Sequence, residues 1–164
     1  MTEHPPLRDL IQAALTRLGL ATLYLALFAM AWYAVNGCSK EKIDPLSDRI
    51  KRTWTAQAVR ENSTLVFTKG ATANIRNYNV FRLDLSTPPA VKLTDFDGNT
   101  FVGTYVIQGE TKLILSALQP EPTGTGGTIE FTINSATGMS LDITRTTASP
   151  KTGNSLNQYQ LTGN

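Results

Sequence analysis

The side chains that most often act as nucleophiles, general bases and zinc ligands are scarce in this chain of 164 residues. It contains one histidine, His4, and one cysteine, Cys38, so residues 39–164 contain neither. Ser-His-Asp hydrolysis, Cys-His catalysis and His/Cys zinc sites all need more of these side chains than that region supplies. We therefore expect a protein that is not an enzyme, with no catalytic residues, no metal and no cofactor.

Two carboxylates and a run of glycines are the remaining candidates for polar chemistry. Residues 95–99 contain Asp95 and Asp97 and are superficially similar to a calcium loop, but they lack the glycine position and the closing glutamate of an EF-hand. Asp97-Gly98 instead predicts a hairpin turn, because glycine accepts the positive φ that tight turns require. Residues 124–127 are rich in glycine but lack the lysine and the following helix of a phosphate loop.

The charge of the chain is nearly balanced. The chain has 15 Lys and Arg residues and 13 Asp and Glu residues, which gives a formal net charge of +2. A nucleic-acid-binding surface needs basic residues clustered on one face. We therefore expect no nucleic-acid partner.

An uncharged, largely apolar run covers residues 18–35. It follows Arg8 and Arg17 and precedes Asn36, Gly37 and Cys38, an order typical of an export signal. The run also approaches the length of a transmembrane helix. Residues 35–38 resemble the lipobox of bacterial lipoproteins, in which a peptidase cuts before the cysteine and its sulfur carries diacylglycerol.

This resemblance implies a signal peptide at residues 1–37, lipid on Cys38 and a charged tether at residues 38–43. The protein would then be anchored to the membrane of the bacterial cell envelope through its lipid. The charged leader 39–42 is similar to leaders that direct some Gram-negative lipoproteins to the outer face of the outer membrane. We expect this protein at the outer membrane, on its periplasmic or surface face. The alternative is an uncleaved anchor helix with a free or buried thiol.

Residues 44–164 predict one domain that begins with a short helix. Asp44 has the side chain of an N-cap, and Pro45 suits the first helical position because it has no N–H to leave unpaired. A helix over residues 45–51 would place Leu46 and Ile50 on one face. We expect these two side chains to plug the fold that follows.

Alternating apolar and polar residues predict an antiparallel all-β fold after this helix. Ile129, Phe131 and Ile133 alternate with polar residues, and the apolar residues of 139–143 repeat the scheme in Met139, Leu141 and Ile143. Strands are predicted at residues 53–59, 64–68, 79–85, 91–94, 101–108, 112–117, 128–134, 139–145 and 158–161. Short turns make this an up-and-down meander, and closure into a small barrel removes its edges.

The domain resembles the short lipocalin-like domains of bacterial lipoproteins. The residues that carry the resemblance are Trp54 in the first strand, Asp97-Gly98, Gly103-Thr104-Tyr105, the late strand 141–145 and Tyr159-x-Leu161. In lipocalins an arginine from a late strand lies over the ring of that tryptophan at the closed end of the barrel. The resemblance therefore implies that Trp54 and Arg145 pair. Arg52 stands where lipocalins have a glycine, and it would either crowd the site or compete for the ring.

The aromatic residues allow two interpretations. Under one they fill the core, and under the other Phe67, Phe81, Tyr105 and Phe131 line a cavity for a small hydrophobic ligand. The loops 119–127 and 146–157 would then gate it, and the alternative is that both are simple hairpin connections. We expect a lipid-anchored, monomeric ligand-binding protein. The alternative is a structural or interaction subunit with a filled barrel.

Overall fold

The computed structural model describes residues 44–164 of the chain, and Asp44–Asn164 form one compact unit. This part contains one short α-helix, nine strands and a 3-10 helix at Pro150–Thr152. The helix α1 is Leu46–Arg49, and the strands are β1 Thr53–Glu61, β2 Thr64–Thr68, β3 Arg82–Asp84, β4 Ala90–Thr94, β5 Thr100–Gln108, β6 Lys112–Gln119, β7 Ile129–Ala136, β8 Ser140–Arg145 and β9 Asn157–Gly163.

The sheet closes into a barrel because β1 pairs with the last strand, β9. From β3 to β9 each strand is antiparallel to the next. The other side of β1 is shared, since its first residues pair with β3 and its last residues pair with β2. Because β2 and β3 lie beside different parts of the same edge of β1, together they take the place of one strand. The nine strands therefore form an eight-stranded barrel. The predicted all-β, antiparallel, closed barrel is confirmed.

The two ends of the barrel differ in what covers them. The Trp54 end comprises α1, the start of β1 and the end of β9, where Trp54 pairs with Gly163. The Arg145 end comprises the end of β8, the start of β9 and the end of β1, where Glu61 pairs with Asn157. Both predicted gating loops lie at the Arg145 end, because they connect β6 to β7 and β8 to β9.

Helix α1 covers the Trp54 end but is shorter than predicted. It has four residues, Pro45 is its N-cap, and no side chain caps it, so the predicted cap by Asp44 is wrong. The indole Nε1 of Trp54 donates to the carbonyl of Ile50 at 2.9 Å, which joins the end of the helical turn to the first strand. Leu46 and Ile50 are buried in the core, as expected for a plug.

The alternation in the late strands is confirmed except at one residue. Phe131, Leu141 and Ile143 are buried, whereas Met139 is 59% exposed. Met139 lies in the β7–β8 turn, before β8 begins, so the strand does not fix its direction. Its sulfur instead accepts a hydrogen bond from Arg52 Nη1 at 3.3 Å.

The predicted strand at residues 79–85 is reduced to the three residues of β3. Tyr78 and Phe81 are both buried although they are three residues apart, a spacing that a flat strand cannot bury on one face. A turn places them there, since the N–H of Phe81 donates to the carbonyl of Tyr78. The segment 69–81 is therefore an irregular part of the barrel wall that buries Tyr78 and Phe81 in the core.

Several predictions concern residues outside 44–164. The signal or anchor segment 1–37, the lipid on Cys38 and the tether 38–43 lie outside the described residues and remain predictions. Within the described part of the chain, the helices are too short to cross a membrane.

Candidate functional site

A small pocket lies at the Arg145 end of the barrel. Its walls are aromatic and its roof comes from the two loops that follow β6 and β8. The cavity volume is about 20 Å³, roughly the space that one water molecule needs. The wall residues are Phe81, Leu93, Phe101, Ile129, Phe131, Arg145 and Tyr159, and Pro122, Thr123, Thr125, Ser149, Lys151 and Asp95 complete the lining.

Tyr159 is the centre of the aromatic wall. Its ring stacks on Phe81 with 4.7 Å between centroids and meets Phe131 edge-on at 6.1 Å. Its hydroxyl accepts a hydrogen bond from Asn157 Nδ2 at 3.2 Å. Burial raises the pKa of Tyr159 despite this bond, so the phenol is neutral at physiological pH. The pocket therefore offers apolar faces and a neutral hydroxyl.

Arg145 brings a positive charge into this apolar wall. It follows Leu141 and Ile143 on β8 at a spacing of two, so its side chain faces the barrel interior. It is only 8% exposed. Its Nε is buried without a hydrogen-bond partner, and no ion pair within residues 44–164 involves its guanidinium. Arg145 is thus a buried cation that makes no direct ion pair in the described part of the chain, although the carboxylate of Asp95 lines the same pocket.

Lys151 fastens one of the two roof loops to the β4–β5 turn. Its Nζ lies 2.7 Å from Asp97 and 3.3 Å from Asp95, and 5.2 Å from the centre of the Phe101 ring. Burial alone would lower the pKa of Lys151, but the two carboxylates outweigh it and raise the value. Burial opposes ionisation of Asp97 as well, yet the hydrogen bonds from Lys151 and Asn99 lower its pKa. The pair is therefore ionised and closes the roof.

A buried polar network keeps the same loop in one conformation. Ser155 Oγ donates to Asn157 Oδ1 at 2.7 Å, and Thr152 Oγ1 donates to the same oxygen at 3.2 Å. Ser149, whose N–H donates to the carbonyl of Ser155, is also buried. Since buried hydroxyl and amide groups stay paired only in a fixed arrangement, this loop is more ordered than its polar sequence predicts.

Glu61 holds the irregular segment 69–81 against the Arg145 end. Its carboxylate accepts from Arg76 Nε at 2.6 Å and from the Tyr78 hydroxyl at 3.0 Å. The Arg76 guanidinium lies 4.9 Å from the centre of the Phe96 ring. Burial raises the pKa of Tyr78, so its hydroxyl keeps the proton that it donates. Neither this cluster nor the Lys151 ion pairs were expected from the sequence, because their members are not periodic.

The predicted pair of Trp54 and Arg145 is not formed. The N–H of Gly163, the partner of Trp54, donates to the carbonyl of Met139 at 3.0 Å, so Trp54 and Met139 lie at the same level of the barrel. Arg145 is six residues further along the chain, which corresponds to about 20 Å of strand. The cation over the Trp54 ring is Arg52, at 5.7 Å from the centroid.

The four predicted cavity-lining residues separate into two pairs. Phe81 and Phe131 line the pocket. Phe67 instead packs on Tyr78 with 5.9 Å between ring centroids, and Tyr105 donates its hydroxyl to the carbonyl of Leu85 at 3.0 Å. Phe67 and Tyr105 are therefore residues of the filled core.

The acidic residues near the pocket have structural partners. Asp97-Gly98 forms the predicted hairpin turn, with Gly98 at φ 83° and its N–H donating to the carbonyl of Asp95 at 3.0 Å. Within residues 44–164, no group of three or more Asp, Glu, His or Cys residues is arranged to hold a metal ion. The carboxylates of the site therefore serve the ion pairs with Lys151.

Two solved structures are similar to this chain. A lipocalin-like protein from Bacteroides uniformis has 12% identity and a TM-score of 0.44, with 71% of this chain and 99% of that chain covered. An uncharacterized protein from Bacteroides eggerthii has 9% identity and a TM-score of 0.43, with 69% and 98% covered. No protein-family model and no curated protein matches the chain. The chain is thus similar at low identity to a lipocalin-like protein, and its own strand pairing defines its fold.

Proposed function

We propose that residues 44–164 form a lipocalin-like domain that binds a small, largely apolar ligand at the Arg145 end and is not an enzyme. The observation that carries this proposal is the aromatic pocket at one end of a closed barrel, under two loops. Small barrels bind ligands at their mouths, and ligand pockets are mostly apolar with a few placed polar groups. Phe81, Phe131 and Tyr159 supply the apolar faces, and Arg145 supplies the polar group.

Binding requires the roof to move, because a cavity of about 20 Å³ holds no ligand larger than water. The β6–β7 loop contributes Pro122, Thr123 and Thr125 to the roof, and three of its glycines have positive φ. The β8–β9 loop is fixed by its buried network and by Lys151. We therefore assign the gating movement to the β6–β7 loop.

A second candidate function is a structural or interaction subunit whose barrel is solid. The small cavity and the burial of Phe67 and Tyr105 in the core favour it. The two candidates differ in whether the pocket is ever occupied. They therefore predict different masses for the protein taken from its own host.

Native mass spectrometry of the full-length protein, purified from its host in a mild non-ionic detergent, distinguishes them. Ligand binding predicts a retained small molecule, and its loss in a Thr123→Trp variant, because Thr123 is exposed in the roof and an indole there obstructs the pocket. Thr132→Trp is the matched control, since Thr132 is exposed on β7 outside the pocket. If no preparation of the protein retains a bound small molecule, the result supports the filled barrel.

We also propose that lipid on Cys38 holds the protein at the outer membrane, on its periplasmic or surface face, as a monomer. The uncharged run 18–35 followed by Gly37-Cys38 supports this proposal. Two acyl chains on one residue anchor a protein stably, whereas one chain binds marginally. Intact mass should show loss of residues 1–37 and added lipid, and Cys38→Ala should abolish both changes. An unprocessed, membrane-bound chain that the substitution leaves unchanged indicates the uncleaved anchor.

A further inference from the structure

We infer that the ligand carries a single negative charge, such as a carboxylate, which Arg145 binds inside the pocket. This inference rests on the proposed function and specifies its ligand class. The ligand it describes is a monocarboxylic acid with an apolar or aromatic body. The acid group would contact the guanidinium, and the body would contact Phe81, Phe131 and Tyr159.

The first step of the argument is the state of Arg145 without ligand. Arginine stays protonated in proteins, so this side chain cannot avoid its burial by losing the charge. It is 92% buried, and its Nε has no partner among residues 44–164. Buried charges are normally paired, because an unpaired one is costly. Arg49 and Arg52 also have a buried Nε without a partner, but each of them donates a hydrogen bond through Nη1. Arg145 makes no such bond within residues 44–164 and lines a cavity, so its guanidinium can receive a partner from outside the domain.

The second step is the shape of that partner. The donors of a guanidinium form a planar fork that matches the two oxygens of a carboxylate. The barrel wall around Arg145 is aromatic and apolar apart from the neutral hydroxyl of Tyr159, whereas the other polar groups of the lining, Asp95 and Lys151 among them, come from the roof loops and the β4–β5 turn. A small acid group attached to an apolar body satisfies both features. A fully polar anion would leave the aromatic faces unused.

The third step limits the charge of the ligand. Asp95 lines the same pocket, and Lys151 is shared between Asp95 and Asp97. These three groups together carry one net negative charge. A dianion such as a phosphate monoester would meet twice the repulsion from this charge that a monoanion meets, and its second charge would exceed the single positive charge of Arg145. The pocket is therefore suited to a monocarboxylate.

The test compares three probes with the same six-carbon body: hexanoate, hexan-1-ol and hexylammonium. Isothermal titration calorimetry uses the full-length chain in a non-ionic detergent, with detergent-only titrations subtracted. Hexanoate should bind roughly tenfold to a hundredfold more tightly than hexan-1-ol, the range of a hydrogen bond to a charged group. Hexylammonium should bind most weakly. Arg145→Met should reduce hexanoate to the affinity of hexan-1-ol, and Arg145→Lys should retain part of the preference.

Arg82→Met is the matched control, because Arg82 is an exposed arginine on β3 outside the pocket. It should retain the full preference for hexanoate. Equal binding of hexanoate and hexan-1-ol to the wild type overturns the charge inference and leaves the proposed binding function standing. A preference that survives in Arg145→Met also overturns it. Failure of all three probes to bind contradicts both proposals.

Discussion

Arg145→Met should stabilise the ligand-free protein. Methionine keeps an unbranched stem of similar length and removes the charge. Leaving a buried polar group unpaired costs about 1–3 kcal/mol, and replacing buried ionic groups by apolar ones often stabilises proteins by about 1–4 kcal/mol. Since Arg145 is 8% exposed and its Nε is unpaired, we expect an increase of about 2 kcal/mol in the free energy of unfolding.

For a domain of this size that increase corresponds to a rise in Tm of roughly 8 °C. Thermal and urea unfolding, followed by far-UV circular dichroism of the full-length chain in non-ionic detergent, measure it. The exposed Arg82→Met control should change stability by less than about 0.5 kcal/mol. The reasoning is refuted if Arg145→Met lowers Tm while Arg82→Met leaves it unchanged, because Arg145 would then have a stabilising partner in the ligand-free protein.

Two further predictions concern the frame around the pocket. Gly103→Ala should destabilise the barrel by about 1–3 kcal/mol, because its Cβ would lie 2.5 Å from the carbonyl oxygen of Ser116; Gly138→Ala, with nothing within 4 Å, should be neutral by thermal unfolding. Lys151→Met should lower Tm between about pH 5 and 9, where the pair is ionised. The lowered pKa of Asp97 means that its contribution is lost as pH falls below the ordinary value of 3.8. The raised pKa of Lys151 means that its contribution is lost only above 10.5. The Tm difference should therefore shrink at both extremes, and a pH-independent difference would contradict the ion-pair assignment.

The late strands were predictable because their signal is local. Period-two alternation of large apolar residues is determined by the geometry of one strand, so Phe131, Leu141 and Ile143 were correctly assigned to the interior. The Asp97-Gly98 turn was predictable for the same reason, since the positive φ of Gly98 is a property of a few residues. Closure into a barrel followed from the number of such strands, because closure is the usual way to remove the edges of a meander.

The pocket was not predictable from spacing, because its polar contacts are not local. Lys151 reaches Asp97 across 54 positions of the sequence, and Tyr78 reaches Glu61 from an irregular segment. Neither contact leaves a periodic pattern in either segment. Phe81 and Phe131 were identified as lining residues from their type alone, and the same criterion also selected Phe67, which is buried but does not line the pocket.

The cation over the Trp54 ring is Arg52 and not the predicted Arg145, and this difference leaves the charge of Arg145 in the pocket. Arg52 precedes Trp54 by two residues and therefore reaches the same side of the chain, where its guanidinium lies over the indole. Gly163 permits this arrangement, because a Cβ there would contact the side chains of both Arg52 and Trp54. The stacking role that the lipocalin resemblance gave to Arg145 is thus performed by a neighbour in sequence. Arg145, at the other end of the barrel, makes no ion pair within residues 44–164, which is why we assign its charge to a ligand.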